Sequence, residues 1–342
     1  MKNILVAVLA LNTMWVFGQK KSIPEVLSNP YDFKMISSGR NSPNFNPTRD
    51  SLTEIVVLLH SGYKIEQIKD YFGWSDKAID RKVNVLLAAN FIKKDNNLNL
   101  VPAVFVTSID EGNFIRKRLK KLIRQTADSI RRRLPELITQ TKTIKSFRDV
   151  NFSDVSLLVL SDVLLDNWQI SNVENDFLHA ARTLHNGKNY YAAYQERLKN
   201  SQVEALGVYG NQYSDTLNYN ICEYGNRRNS KQAITKTKIL KKEFSDFGER
   251  SHFNYPVIDS LDDAQLQNIA GKFLPVIRNI LDQNKPMLLG AYKNSPYLNE
   301  VSFEEYFIWV YHIYYTAVTD ELIKQKIISL PKDGVSFYAV LQ

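Results

Sequence analysis

The chain has 342 residues, 44% hydrophobic and 23% charged, which is ordinary for a folded protein and long enough for two domains. A formal net charge of +8 favours acidic partners such as nucleic acid, anionic glycans or anionic lipid headgroups, without choosing among them. The single cysteine, Cys222, excludes an intrachain disulfide scaffold and a cysteine-built zinc cluster.

The first residues have the pattern of an export signal. Lys2 supplies a positive start, residues 4–17 an apolar run, and Val16 and Gly18 the small residues of a cleavage site before Gln19. The run is too short for a membrane span, and no later segment is apolar enough for one. A soluble periplasmic or secreted product is expected, with residues 1–18 as the signal peptide. Residues 19–50 hold Pro24, Pro30, Pro43 and Pro47 among many Asn and Ser, so they read as an irregular linker or surface strap.

Residues 51–112 change character. "SLTEIVVLLHSG" carries a helix signature, with Ser51 as N-cap, Glu54 at the capping-box position and Gly62 as the stop. A second helix ends at Gly73. A third is capped by Ser75 and carries Ala78, Ile79, Val83, Leu86 and Leu87 on one face. Asn90 suits the left-handed turn that follows. "FIKKDNNLNLVPAVFVT" then reads as strand, polar turn and strand.

Three helices and a hairpin in this spacing resemble the winged helix-turn-helix superfamily, in the style of the MarR and ArsR regulators, over residues 51–112. The resemblance implies a nucleic-acid face of Lys77, Arg81 and Asn84, with Lys93, Lys94, Asn96 and Asn97 in the wing. Asp76 and Asp80 share that exposed surface and repel phosphate. Winged helices also mediate protein contacts. With an export signal ahead of it, a structural or protein-binding scaffold is the preferred expectation, and a cytoplasmic nucleic-acid-binding regulator is the alternative.

Residues 113–149 read as a long connecting helix, broken near Pro135, with an apolar stripe of Ile115, Leu119, Leu122, Ile130, Leu134 and Leu137. Its other faces carry Arg116, Lys117, Arg118, Lys120, Lys121, Arg124, Arg131, Arg132 and Arg133, a surface for an acidic partner.

Residues 150–342 read as a second domain of helices with a loop-rich middle and a closing hairpin through "LPKDGVSFY". The fold class expected for the whole chain is mainly α with small β hairpins (α+β). A polar-aromatic stretch offers Trp168, Gln169, Glu174, Arg182, His185 and Tyr190, with Tyr209 and Asn211 further on, as lining for a ligand site. The ligand is an unknown small molecule, glycan or protein, held through stacking and hydrogen bonds. His179 and His185 are six residues apart and Glu174 is five before His179, which does not fit a metal pair on one helix face. No metal or cofactor is implied, and the common enzyme motifs are absent. A further alternative is an envelope hydrolase using Glu174, Glu196, His185 or His252. Cys222 with His252 as a nucleophile pair is outweighed by a packed cysteine.

Overall fold

The computed structural model describes residues 20–37, 41–178, 184–185, 187–199, 203–207, 209–215, 219–225, 255–332 and 334–341. Helices predominate, and three small sheets lie among the described residues, so the chain is mixed helix and strand. The export-signal pattern, Arg182, His179 and His252 lie outside the described residues.

The N-terminal part begins with α1 (Ile23–Val26) and β1 (Tyr31–Ser37). Residues 31–37 were expected in an irregular strap. They instead form a strand, because the prolines fall on either side of it and leave "YDFKMIS" free to pair. Three helices follow: α2 (Leu52–His60), α3 (Ile65–Phe72) and α4 (Asp76–Ala88). Gly73 ends α3 in the left-handed conformation at φ 65°, and Asn90 takes φ 55° beyond α4. Ser75 caps α4, its hydroxyl accepting from Ala78 N at 3.3 Å. Ser51 does not cap α2. Its own backbone is left-handed at φ 61°, whereas capping requires an extended residue whose side chain reaches back to the first turn. A two-stranded hairpin of β2 (Ile92–Lys94) and β3 (Leu100–Pro102) follows, then β4 (Phe105–Thr107).

The basic segment forms α5 (Ile109–Arg118) and α6 (Lys120–Thr143), with Pro135 accommodated inside α6. The break lies at Leu119, not near Pro135. Helical hydrogen bonds run on through it, from Leu119 N to Ile115 O and from Ile123 N to Leu119 O, both 3.0 Å. Gly112 sets α5 against residue 205. A Cβ there would stand 2.2 Å from the Ala205 carbonyl oxygen, so only glycine permits the approach.

Beyond α6 come α7 (Phe152–Leu157), a π-helical turn over Leu158–Val163 and α8 (Ile170–Val173). The strands are β5 (Leu184–His185), β6 (Lys188–Glu196), β7 (Asn211–Asp215), β8 (Tyr219–Gly225) and β9 (Val257–Ile258). Then follow α9 (Ser260–Lys293), α10 (Tyr297–Glu300), α11 (Phe303–Lys324) and β10 (Val335–Leu341). The expected closing hairpin is absent. β10 lies between β8, antiparallel, and β9, parallel, while residues 327–330 carry no strand.

Strand β6 joins the two halves. It pairs antiparallel with β1 and parallel with β4. Tyr190, Ala192 and Tyr194 enter the core built by α2, α3 and α4, while Tyr191 and Ala193 enter the larger core around α11. Helix α11 is buried all round, from Glu305 to Thr319, which makes it the axis of the larger core. Ser302 fixes its start, accepting from Glu305 N at 3.1 Å.

Candidate functional site

Four residues after the π-helical turn begins, Asp162 is carried into the core beside Asp166. π-helical turns often mark functional positions, because the extra residue re-aims a side chain. Asp162 Oδ1 accepts from Asn211 Nδ2 at 2.8 Å, and its Oδ2 lies 3.1 Å from the Tyr338 hydroxyl. That hydroxyl also lies 3.0 Å from Asn211 Oδ1, to which Cys222 Sγ donates at 2.8 Å. Tyr338 has one proton for two acceptors. Both contacts are satisfied when Asp162 is a neutral acid that donates to Tyr338, which then donates to Asn211. Burial and the neighbouring Asp166 push the Asp162 carboxyl well above its ordinary 3.8, against the pull of Asn211 and Tyr338.

The Tyr315 hydroxyl faces the same count, 2.8 Å from Asp166 Oδ2 and 2.5 Å from the Tyr209 carbonyl. Ser161 adds hydroxyl contacts to Tyr224 and Thr319, both 2.6 Å. Burial drives the Cys222 thiol well above its ordinary range, so it is an un-ionised hydrogen-bond donor and a poor nucleophile. Tyr213 on β7 is half exposed as a residue, while its hydroxyl is buried against Tyr338 and Cys222. The arrangement holds protons in a ring of Tyr, Asp, Asn and Cys, a chemistry of neutral donors.

A second polar centre lies between the two cores. His60, the last residue of α2, places Nδ1 2.8 Å from Glu300 Oε2 at the end of α10, and Nε2 3.0 Å from Glu111 Oε1 in the first turn of α5. Both ring nitrogens face carboxylates, so the imidazolium satisfies both as donor. Burial opposes that charge, but Glu300 and Glu111 outweigh it and hold His60 well above 6.5. His185 stands nearby in character: its Nδ1 is 3.1 Å from the Asn90 carbonyl, its Nε2 is 3.7 Å from Glu305 Oε2, and its ring stacks on Tyr190 at 4.9 Å.

The residues expected to line one ligand site are divided. Tyr209 and Asn211 meet at the Asp162–Asp166 network, and the Trp168 ring packs 5.8 Å from Tyr338. Trp168 is nevertheless buried and donates through Nε1 to Asp263 at 2.8 Å. Gln169 is buried and donates to the Ala270 carbonyl at 2.9 Å. Glu174 is buried as well. His185 and Tyr190 lie in the seam instead. Glu196 serves the fold, accepting from Asn29 Nδ2 at 2.7 Å and Ile109 N at 2.8 Å. The sequence reading missed Asp162 and His60. Asp162 carries a signal, an acid inside the apolar run "SLLVLSDVLL". His60 carries none, since its partners are 51 and 240 residues away.

On the outer surface, Lys77, Arg81 and Asn84 are exposed on α4, together with Asp80 and Val85. Lys93 and Lys94 are exposed on β2. At the hairpin turn, Leu98 is 76% exposed with φ 64°. Asp95 builds that turn, its Oδ1 accepting from Asn97 N at 2.9 Å and Asn99 N at 2.8 Å.

No family model, no curated protein and no solved structure matches the chain.

Proposed function

We propose that the chain is an exported binding protein, whose winged-helix-like N-terminal unit contacts another protein. The observation that carries this reading is Leu98. A leucine in the left-handed conformation costs about 1–2 kcal/mol, and here its side chain stands in solvent as well. Asp95 nonetheless holds the turn in that form. Strain of this kind persists where the displayed group is used. An apolar tip suits a protein pocket and gives nothing to phosphate. Val85 and Asp80 on the exposed face of α4 support the same choice.

Leu98→Asn tests it. Asparagine tolerates the left-handed backbone, so the variant is expected to be more stable than the wild type by about 0.5–1 kcal/mol. A photo-crosslinking residue at 98 or 85 is expected to yield one discrete protein adduct in intact cells, and none at exposed Leu298. Leu98→Asn, combined with the crosslinker at 85, abolishes that adduct. Identical adducts at all three positions refute the reading.

The alternative, a nucleic-acid reader, is favoured by the shared exposure of Lys77, Arg81 and Asn84. It requires duplex DNA binding that weakens with Lys77→Ala or Arg81→Ala and falls steeply with salt. The protein-binding reading requires neither substitution to matter.

A further inference from the structure

We infer that the outer face of α5 and α6 is a docking surface for anionic phospholipid headgroups. The chain's 44 cations and 36 acids leave +8, and nine cations against Asp128 supply all of it within residues 116–133. The charge of the molecule is thus concentrated in one stretch, and the remainder is balanced.

The helix lays these cations in a line. Lys117, Lys120, Lys121 and Arg124 follow the spacing i, i+3, i+4 and i+7, and Arg131 and Arg132 return to the same side two turns on. All six are exposed, while Leu122, Ile123, Ala127 and Ile130 are buried on the opposite side against the larger core. The stripe runs about 22 Å at the helical rise per residue. Arg131 and Asp128 form a 3.0 Å ion pair that is half exposed, too weak to neutralise it.

The composition of the stripe selects its partner. Between residues 117 and 132 its exposed positions all hold cations, without the aromatics that stack on bases, and the exposed amide of Asn113, one turn before, is taken by Arg116 at 2.9 Å. They also lack exposed apolar side chains, so the face rests at headgroup level without inserting. A row of flexible cations along one side of the helices meets a flat anionic surface, whereas the phosphate rows of a duplex curve away from it.

The test uses the chain beginning at Gln19 with vesicles of phosphatidylcholine alone and of equimolar phosphatidylcholine and phosphatidylglycerol. Binding is expected only to the anionic vesicles, and it is expected to fall with added salt. Replacing Lys117, Lys120, Lys121 and Arg124 together by Gln removes four surface charges, each contributing about fivefold, so binding falls by several hundredfold. The same positions carrying only Lys→Arg or Arg→Lys exchanges retain it. A control variant with exposed Lys64, Lys199, Lys272 and Lys326 changed to Gln has the same net charge and keeps most of the binding. Urea midpoints confirm that each variant folds. Equal loss in the control overturns the proposal, since net charge alone would then account for binding. Binding to duplex DNA at physiological salt with none to anionic vesicles also overturns it, in favour of a polymer.

Discussion

His60→Ala is expected to destabilise the protein by about 3–5 kcal/mol, the cost of leaving buried charge without its partner. Glu300 is buried and Glu111 nearly so, its side chain 14% exposed, and each gives a carboxylate oxygen to one nitrogen of the ring. Glu111 keeps other partners, since Ser108 N and its hydroxyl both lie 2.8 Å from Oε2. Burial pushes Glu300 above its ordinary 4.5, with His60 opposing, so losing His60 leaves Glu300 to take up a proton. The sign for His60 follows from its raised folded pKa. Its stabilisation is complete below the unfolded value of 6.5 and is lost as pH rises through the raised value. Urea unfolding at pH 6 and pH 9 checks this. The wild type loses more stability over that interval than His60→Ala does. Equal slopes contradict an imidazolium at this position.

Asp162→Asn is expected to stabilise the protein at alkaline pH and to change little near pH 4. A carboxyl whose folded pKa is raised binds its proton more tightly in the native state. Its penalty is therefore absent below the unfolded 3.8 and grows as pH climbs past it. Asn cannot ionise, so the variant escapes the penalty. Its amide oxygen still accepts from Asn211 Nδ2, and its NH2 replaces the acid proton toward Tyr338. Asp162→Ala differs in sign, because it strands Asn211 and Tyr338 in the core. Unfolding curves at pH 5 and pH 8 separate the cases. If Asp162→Asn is the less stable protein at pH 8, Asp162 is an ion in the native state.

The helices were legible because their signals are local. Ser75, Gly73 and Asn90 act within one turn, and each occupies the expected place, whereas Ser51 does not cap α2. Strand β6 was not legible as a strand. Both its faces are buried, Tyr190 and Tyr194 on one side and Tyr191 on the other, so "NYYAAYQE" lacks the alternation of a half-exposed strand. β1 was hidden among prolines for a related reason. A pairing with residues 190–196 cannot be read from residues 31–37 alone. The closing strand β10 was visible, but its partners were not, since turn chemistry at Asp333–Gly334 suggested the nearest neighbour and β8 lies over a hundred residues back. The polar-aromatic residues from Trp168 to Asn211 read as one group in the sequence. Composition could not divide them between the carboxyl network and the seam, because that division depends on which strand covers which core.

The proposed function requires the N-terminal unit to work outside the cytoplasm, as a protein contact. Cell fractionation, with the intact mass of the recovered chain, tests it most directly. A periplasmic or secreted product beginning at Gln19 is the expected result. A cytoplasmic chain that retains Met1 contradicts it, and the exposed face of Lys77, Arg81 and Asn84 then becomes the first candidate for nucleic-acid contact.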